Sequence, residues 1–199
     1  MNYNERYRPG CLEVICGCMK SGKTKVLLNR IEQLKYLKGI NHRIFKPDVD
    51  KRFSETRIID RTGEAYTCTV IGSDDLGALK IESLKNVHVI ALDEVQFFSK
   101  DFAWAIHNLT REGKNVIVAG LDMDFRGEGF GIMPELLAVA DKVTKLTAVC
   151  EYSGCNSSAN RSQRLINGVP AHYESEQILV ADNECYEPRC IYHHYVPGK

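Results

Sequence analysis

The octapeptide Gly17-Cys18-Met19-Lys20-Ser21-Gly22-Lys23-Thr24 limits what this chain can fold into more than any other feature. It fits the pattern G-x4-G-K-T, and its neighbours are those the pattern needs: the apolar run Leu12–Cys16 before it and a helically periodic segment after it. In that later segment Leu27, Leu28, Ile31, Leu34 and Leu37 make one apolar stripe, Lys35 and Lys38 fill the expected last turn, and Gly39 follows as a stop. A strand, a glycine-rich turn and a helix in that order form an anion cradle. Gly17 and Gly22 let backbone N–H groups wrap a phosphate, while Lys23 reaches its outer oxygens. Thr24 offers a hydroxyl to Mg2+, and the helix start favours negative charge.

A phosphate cradle alone does not separate a kinase from a motor ATPase or a switch, so the second acidic motif decides. The buried-looking run Val87–Leu92 ends in Asp93-Glu94-Val95-Gln96-Phe97-Phe98. Asp93 then stands at a strand's carboxyl edge, where it can hold the Mg2+ shell through water, and Glu94 is left to accept a proton from the attacking nucleophile. That nucleophile is either water or a substrate hydroxyl. For a hydroxyl, Met19, Phe97, Phe98, Leu121, Phe125 and Phe130 are candidates for an apolar slot beside the phosphate that takes a planar base, with ordinary packing as the competing role of each.

Short apolar runs at Leu12–Cys16, Arg43–Phe45, Thr67–Ile71, Val87–Leu92 and Val116–Ala119 alternate with helical segments as far as about residue 147. This alternation predicts an α/β domain with a mostly parallel sheet. Lys51–Thr62 reads as a polar, mobile connection. After residue 147 turn signals take over, and Leu165–Pro170 reads as a hairpin closed by Asn167-Gly168. The expected division is 1–147 for the phosphate-loop domain and 148–199 for a small second one. Some fifty residues with so few apolar side chains need a staple.

Cysteine and histidine spacing supplies one. Cys150 and Cys155 make C-x4-C, and Cys190 with His193 makes C-x2-H, both within the range used by tetrahedral structural Zn2+. His194 competes with His193, and Cys185 with Cys190. Four protein ligands leave no open position, so this metal holds the fold and does no catalysis. His42, His88, His107 and His172 read as packed or surface residues, and Cys11, Cys16, Cys18 and Cys68 as reduced thiols in or beside strands. Lys plus Arg and Asp plus Glu both number 26, so no global positive field gathers nucleic acid. With no apolar run near the length of a membrane span and no leader at Met1, the expectation is a soluble, cytoplasmic protein without a membrane or nucleic-acid partner.

Taken together and in order, the phosphate loop, "LDEVQFF", "GLDMDFRG", "KLTAVC", "RSQRLINGVPAHY" and "CYEPRCIYHH" resemble the type II thymidine kinases over nearly the whole chain. The resemblance implies a RecA-like phosphate-loop domain, a small zinc domain whose lasso loop covers thymidine, a homotetramer, and inhibition by dTTP. It implies transfer of the γ-phosphate of ATP, held with Mg2+, to the 5′-hydroxyl of thymidine to give dTMP. Glu94 becomes the general base, with Asp93, Glu94, Val95 and Gln96 near metal and phosphates, and Asp50, Lys51 and Arg52 matching a segment near the nucleotide phosphates. Met19, Leu121, Phe125 and Phe130 match positions around the thymine. Gln177, Ile178, Leu179, Val180 and Ala181 fall where the lasso holds the base by main-chain hydrogen bonds, and Tyr186 where a tyrosine supports that pocket. Two departures stand out: the first clip is C-x4-C where the family generally has C-x2-C, and Lys20 replaces what is commonly an aromatic or other residue in the phosphate loop. The competing reading is a phosphate-loop ATPase whose zinc module binds nucleic acid.

Overall fold

The computed structural model describes residues 10–49, 57–59, 65–80, 82–178 and 184–199. Six strands make the main sheet: β1 (Leu12–Gly17), β2 (His42–Pro47), β5 (Thr69–Ile71), β6 (Val89–Leu92), β7 (Asn115–Gly120) and β8 (Lys142–Leu146). Their order is β5-β2-β6-β7-β1-β8, and every pairing is parallel. The α/β class expected from the alternating pattern is therefore observed. Strands β3 (Arg57–Ile59) and β4 (Ala65–Thr67) form a separate antiparallel pair.

Side chains of the central strands alternate between two apolar layers, as the two-residue period of a strand requires. Val14 and Cys16 of β1 join the layer containing Phe102, Ile106 and Leu109 of helix α2 (Lys100–Arg111) and Met133 and Leu136 of helix α3 (Met133–Val139). Ile15 points the other way, to Leu27, Leu28, Ile31 and Leu34 of helix α1 (Lys23–Leu34). Both faces of the sheet are thus covered, and burial of these side chains at ~25 cal/mol per Å2 supplies the main stabilising term.

The structure corrects three local expectations. Helix α1 ends at Leu34, so Lys35 and Lys38 lie beyond its last turn: the Lys35 and Leu37 N–H groups donate to Glu32 and Leu34 three residues back, and tight turns replace the α-helical ladder before Gly39, at φ 79°. Thr67–Ile71 is not one strand, because Thr67 pairs with β3 and Thr69 with β2, with buried Cys68 at the break. Lys51–Thr62 is not wholly a plain connection, since it contains β3; residues 51–56 and 60–62 lie outside the described residues.

Past β8 the chain forms β9 (Ala148–Val149) paired with β10 (Ser158–Ala159), and a three-stranded sheet β12-β11-β13 of Val169–Pro170, Arg161–Ile166 and Glu184–Arg189. The Asn167-Gly168 hairpin turn is as expected, with φ 53° and 79° at its two residues. At the other end of β1, Gly17 has φ 143°, and a Cβ there would stand 2.3 Å from the Leu146 carbonyl oxygen. Gly17→Ala should cost about 2 kcal/mol or more and weaken nucleotide binding, as measured by denaturant unfolding and titration with ATP.

Candidate active site

In the strand order, β7 separates β6 from β1, so the loops after β6, β7 and β1 leave the same carboxyl edge side by side. That edge is where parallel α/β sheets place their ligands. After β1, Gly22 takes φ 88° and α1 begins at Lys23 with no side-chain cap, leaving its first N–H groups for an anion. The Lys23 ammonium is buried and donates to the Cys18 carbonyl at 2.8 Å across the turn. Burial pushes its pKa below the ordinary lysine value, and the carboxylates of Glu94 and Asp93 partly offset that push.

After β6, Asp93 is buried, and its Oδ2 accepts from the Thr24 hydroxyl at 3.2 Å. The two motifs therefore meet at the residues that the phosphate-loop pattern assigns to Mg2+. Burial first, and the neighbouring Glu94 carboxylate second, raise Asp93 to about 7. Glu94 has φ 52°, a left-handed conformation that costs a non-glycine residue about 1 kcal/mol. Its Oε2 accepts from Gln96 Nε2 at 2.5 Å, and Gln96 Oε1 accepts from the Leu121 N–H at 3.0 Å. Gln96 is itself buried, so it fastens the Glu94 carboxylate to the loop after β7. Gly131 closes against the Gln96 backbone, where a Cβ would stand 2.0 Å from its carbonyl oxygen.

That loop carries the aromatic candidates. Phe130 is buried and packs edge-on against Phe97, with ring centroids 5.6 Å apart. Phe125 is buried with Ala171 and Val196, and partly buried Tyr186 and Tyr173 pack against them. Phe98 belongs elsewhere: it stacks on Phe102 at 4.3 Å within the core under α2, so ordinary packing is its role. The phosphate loop also reaches the C-terminal strands. Cys18 Sγ donates to the Ala159 carbonyl at 3.3 Å, the Met19 N–H donates to Ser162 Oγ at 3.0 Å, and Lys20 pairs with Glu151 at 2.6 Å. Lys20→Ala should change stability by less than about 1 kcal/mol, because both partners are part-exposed, as thermal unfolding at low and high salt can check.

Cys150, Cys155, Cys190 and His193 bring their ligand atoms within 4.8 Å of one another. Cys150 Sγ lies 3.7 Å and Cys190 Sγ 3.3 Å from His193 Nδ1, and Cys155 and Cys190 sulfurs are 3.9 Å apart. A tetrahedron with Zn–S bonds of ~2.3 Å has edges of about 3.8 Å, so this set can hold a zinc ion. The N–H and hydroxyl of Ser157 draw the Cys155 thiol down to about 6, towards the thiolate a metal needs, whereas desolvation raises Cys190. The alternatives fall away on position: His194 Nε2 is engaged with the Phe125 carbonyl at 2.9 Å, and Cys185 is exposed on β13 opposite Leu165.

The family model described as thymidine kinase matches residues 10–195. A curated thymidine kinase of Coprothermobacter proteolyticus is 46% identical over 190 residues, which span 96% of this chain and 93% of that protein. The chain belongs to the thymidine kinase family. Its activity is that of a kinase acting on thymidine.

In this thymidine kinase family member, the structure gathers Lys23, Thr24, Asp93, Glu94, Gln96 and Leu121 at one sheet edge. Asp50, Lys51, Arg52, Leu179, Val180 and Ala181 lie outside the described residues. Gln177 is exposed, with its side chain on Asp124 Oδ2 at 2.9 Å, and Ile178 is exposed as well. Sequence reading did not single out Ser162, Asp124 or Arg164, all three buried. Ser162 and Arg164 on β11 and Asp124 in the loop after β7 read as surface positions from their polar side chains, and no spacing rule reveals the contrary. Gln96→Leu should lower kcat about 10- to 100-fold with little change in ATP binding, because the Glu94 carboxylate and the Leu121 N–H both lose their bond to Gln96. Steady-state kinetics with nucleotide titration measures this.

Proposed function

We propose that the chain transfers the γ-phosphate of ATP, held with Mg2+, to the 5′-hydroxyl of thymidine and yields dTMP. The observation that carries this reading is the line of contacts from Thr24 through Asp93 to Glu94, Gln96 and Leu121, which sets one carboxylate between the phosphate cradle and the aromatic loop. Gly17 to Thr24 cradle the phosphates, Asp93 and Thr24 hold the Mg2+ shell, and Glu94 takes the proton from the attacking hydroxyl. Two adjoining carboxylates in a buried site favour a divalent cation, which suits Asp93 to that part. Met19, Leu121, Phe125 and Phe130 surround the base, and residues 177–181 with Tyr186 close over it.

In this reading residues 148–199 form a second unit stapled by Zn2+ at Cys150, Cys155, Cys190 and His193. The metal supplies a crosslink between strands and takes no part in the transfer. The resemblance to type II enzymes extends the proposal to a cytoplasmic homotetramer restrained by dTTP, and Asp50, Lys51 and Arg52 to the nucleotide phosphates. No helix among the described residues is long and apolar enough to cross a membrane.

Measuring ATP consumption with thymidine, with DNA and with neither tests the reading. Turnover that requires thymidine is the expected result. Turnover stimulated by DNA and indifferent to thymidine favours the nucleic-acid-dependent ATPase instead.

A further inference from the structure

The strongest observation the proposed mechanism leaves unused is a buried cation. Arg164, in the middle of β11 and opposite Tyr186, has no exposed surface, and among the described residues no carboxylate pairs with it. Its guanidinium carbon lies 3.7 Å from the centroid of the Phe125 ring. Nη2 donates to the Glu176 carbonyl at 2.6 Å and Nη1 reaches the Gln177 carbonyl at 3.4 Å, while Nε has no partner. Removing a guanidinium from water without a counter-charge is expensive, and an apolar side chain would pack on Phe125 at lower cost. Stability alone therefore does not explain an arginine here.

A second arginine, this one with the Asp124 carboxylate 3.6 Å from its Nη1, grips the same segment. Arg126 Nε donates to the Tyr173 carbonyl at 2.8 Å and Nη2 to the Ser175 carbonyl at 2.7 Å, with its guanidinium carbon 5.0 Å from the Phe125 ring centroid. Four carbonyls between Tyr173 and Gln177 thus point at two guanidinium groups that both lie near one phenyl ring. Asp124 adds a fifth link through Gln177 Nε2. A planar fork with several donors can hold a ring face and two carbonyls at once, which the lysine ammonium cannot do.

We propose that Arg164, seconded by Arg126, is a positioning residue for nucleoside selection: it locks the Phe125 ring to the backbone of residues 173–177, so that the two walls of the base slot hold one fixed separation before substrate arrives. The inference rests on the reading that places Phe125 and Gln177 at the nucleoside. Ordering this backbone in the free protein lowers the entropy cost of binding, and the benefit falls on the nucleoside and not on ATP.

Arg164→Lys and Arg164→Met test it by kinetics and by amide hydrogen exchange on the free protein. The expected result is a rise of about 10- to 100-fold in KM for thymidine, the size of one or two charge-assisted hydrogen bonds, with the dissociation constant for ATP and the bound zinc unchanged. Exchange should quicken in 173–178 while β7 and β11 stay protected. An unchanged KM, unchanged exchange in 173–178, or a uniform acceleration across the chain overturns the proposal. Should Arg164 variants fail to fold, Arg126→Lys probes the same segment from a part-exposed site with the same criteria. If the wild-type chain phosphorylates no nucleoside, the functional reading fails by itself, and exchange in 173–178 still reports on the arginine clamp.

Discussion

Replacing Glu94 by Gln is expected to slow phosphoryl transfer about 10^3-fold while ATP still binds within a few-fold of its normal affinity. The amide keeps the shape of the carboxylate and can still face Gln96 Nε2, so the line of contacts to Leu121 survives. What disappears is the capacity to accept a proton from the attacking hydroxyl. Lys23, Thr24 and Asp93, which hold the donor in the proposed mechanism, are untouched, and removing one of two adjoining negative charges eases the burial of Asp93. Single-turnover transfer and equilibrium nucleotide binding, measured on the same preparation, separate the two effects. Turnover within tenfold of wild type would take the base assignment away from Glu94.

Removing the zinc proposed at Cys150, Cys155, Cys190 and His193 is expected to have the second large effect. Binding energy at a structural zinc site of this donor set is on the order of 10 kcal/mol, more than the small strands β9 to β13 can replace by burial. Chelation, or Cys190→Ser, should therefore unfold 148–199 and leave the main sheet intact. It should also raise KM for the nucleoside and, through Cys18, Met19 and Lys20, weaken the hold on ATP, since these three consecutive residues bond to Ala159, Ser162 and Glu151. Metal quantification alongside circular dichroism and kinetics provides the check. An unchanged KM for thymidine after complete removal of metal would separate the metal from the nucleoside site.

The features legible in the sequence are those with fixed spacing. The phosphate loop, the Asp93-Glu94 pair and the Cys150, Cys155, Cys190, His193 set each depend on residue types at fixed intervals along the chain, and the structure places each of them in mutual contact or close by. The parallel strands were readable from their apolar runs, apart from the break at Cys68 before β5 and from β8. Strand β8 lies at the sheet edge with Lys142 and Lys145 exposed, so its composition resembles a loop. The early end of α1 escaped because its apolar stripe continues to Leu37, which still packs against the layer from a turn. Arg164 was hidden for a different reason. A charged residue in Arg161-Ser162-Gln163-Arg164 suggests solvent, and only the tertiary fold brings Phe125 and the carbonyls of 176 and 177 over it.

In the proposed mechanism a γ-phosphate and a nucleoside hydroxyl meet at Glu94. The most direct measurement supplies ATP labelled at its γ-phosphate, with Mg2+, together with thymidine or with 5′-deoxythymidine, which lacks the accepting oxygen. Label should appear in dTMP in the first case, with little released in the second. Release of labelled inorganic phosphate at the same rate in both, with none in dTMP, would rule out transfer to the nucleoside hydroxyl.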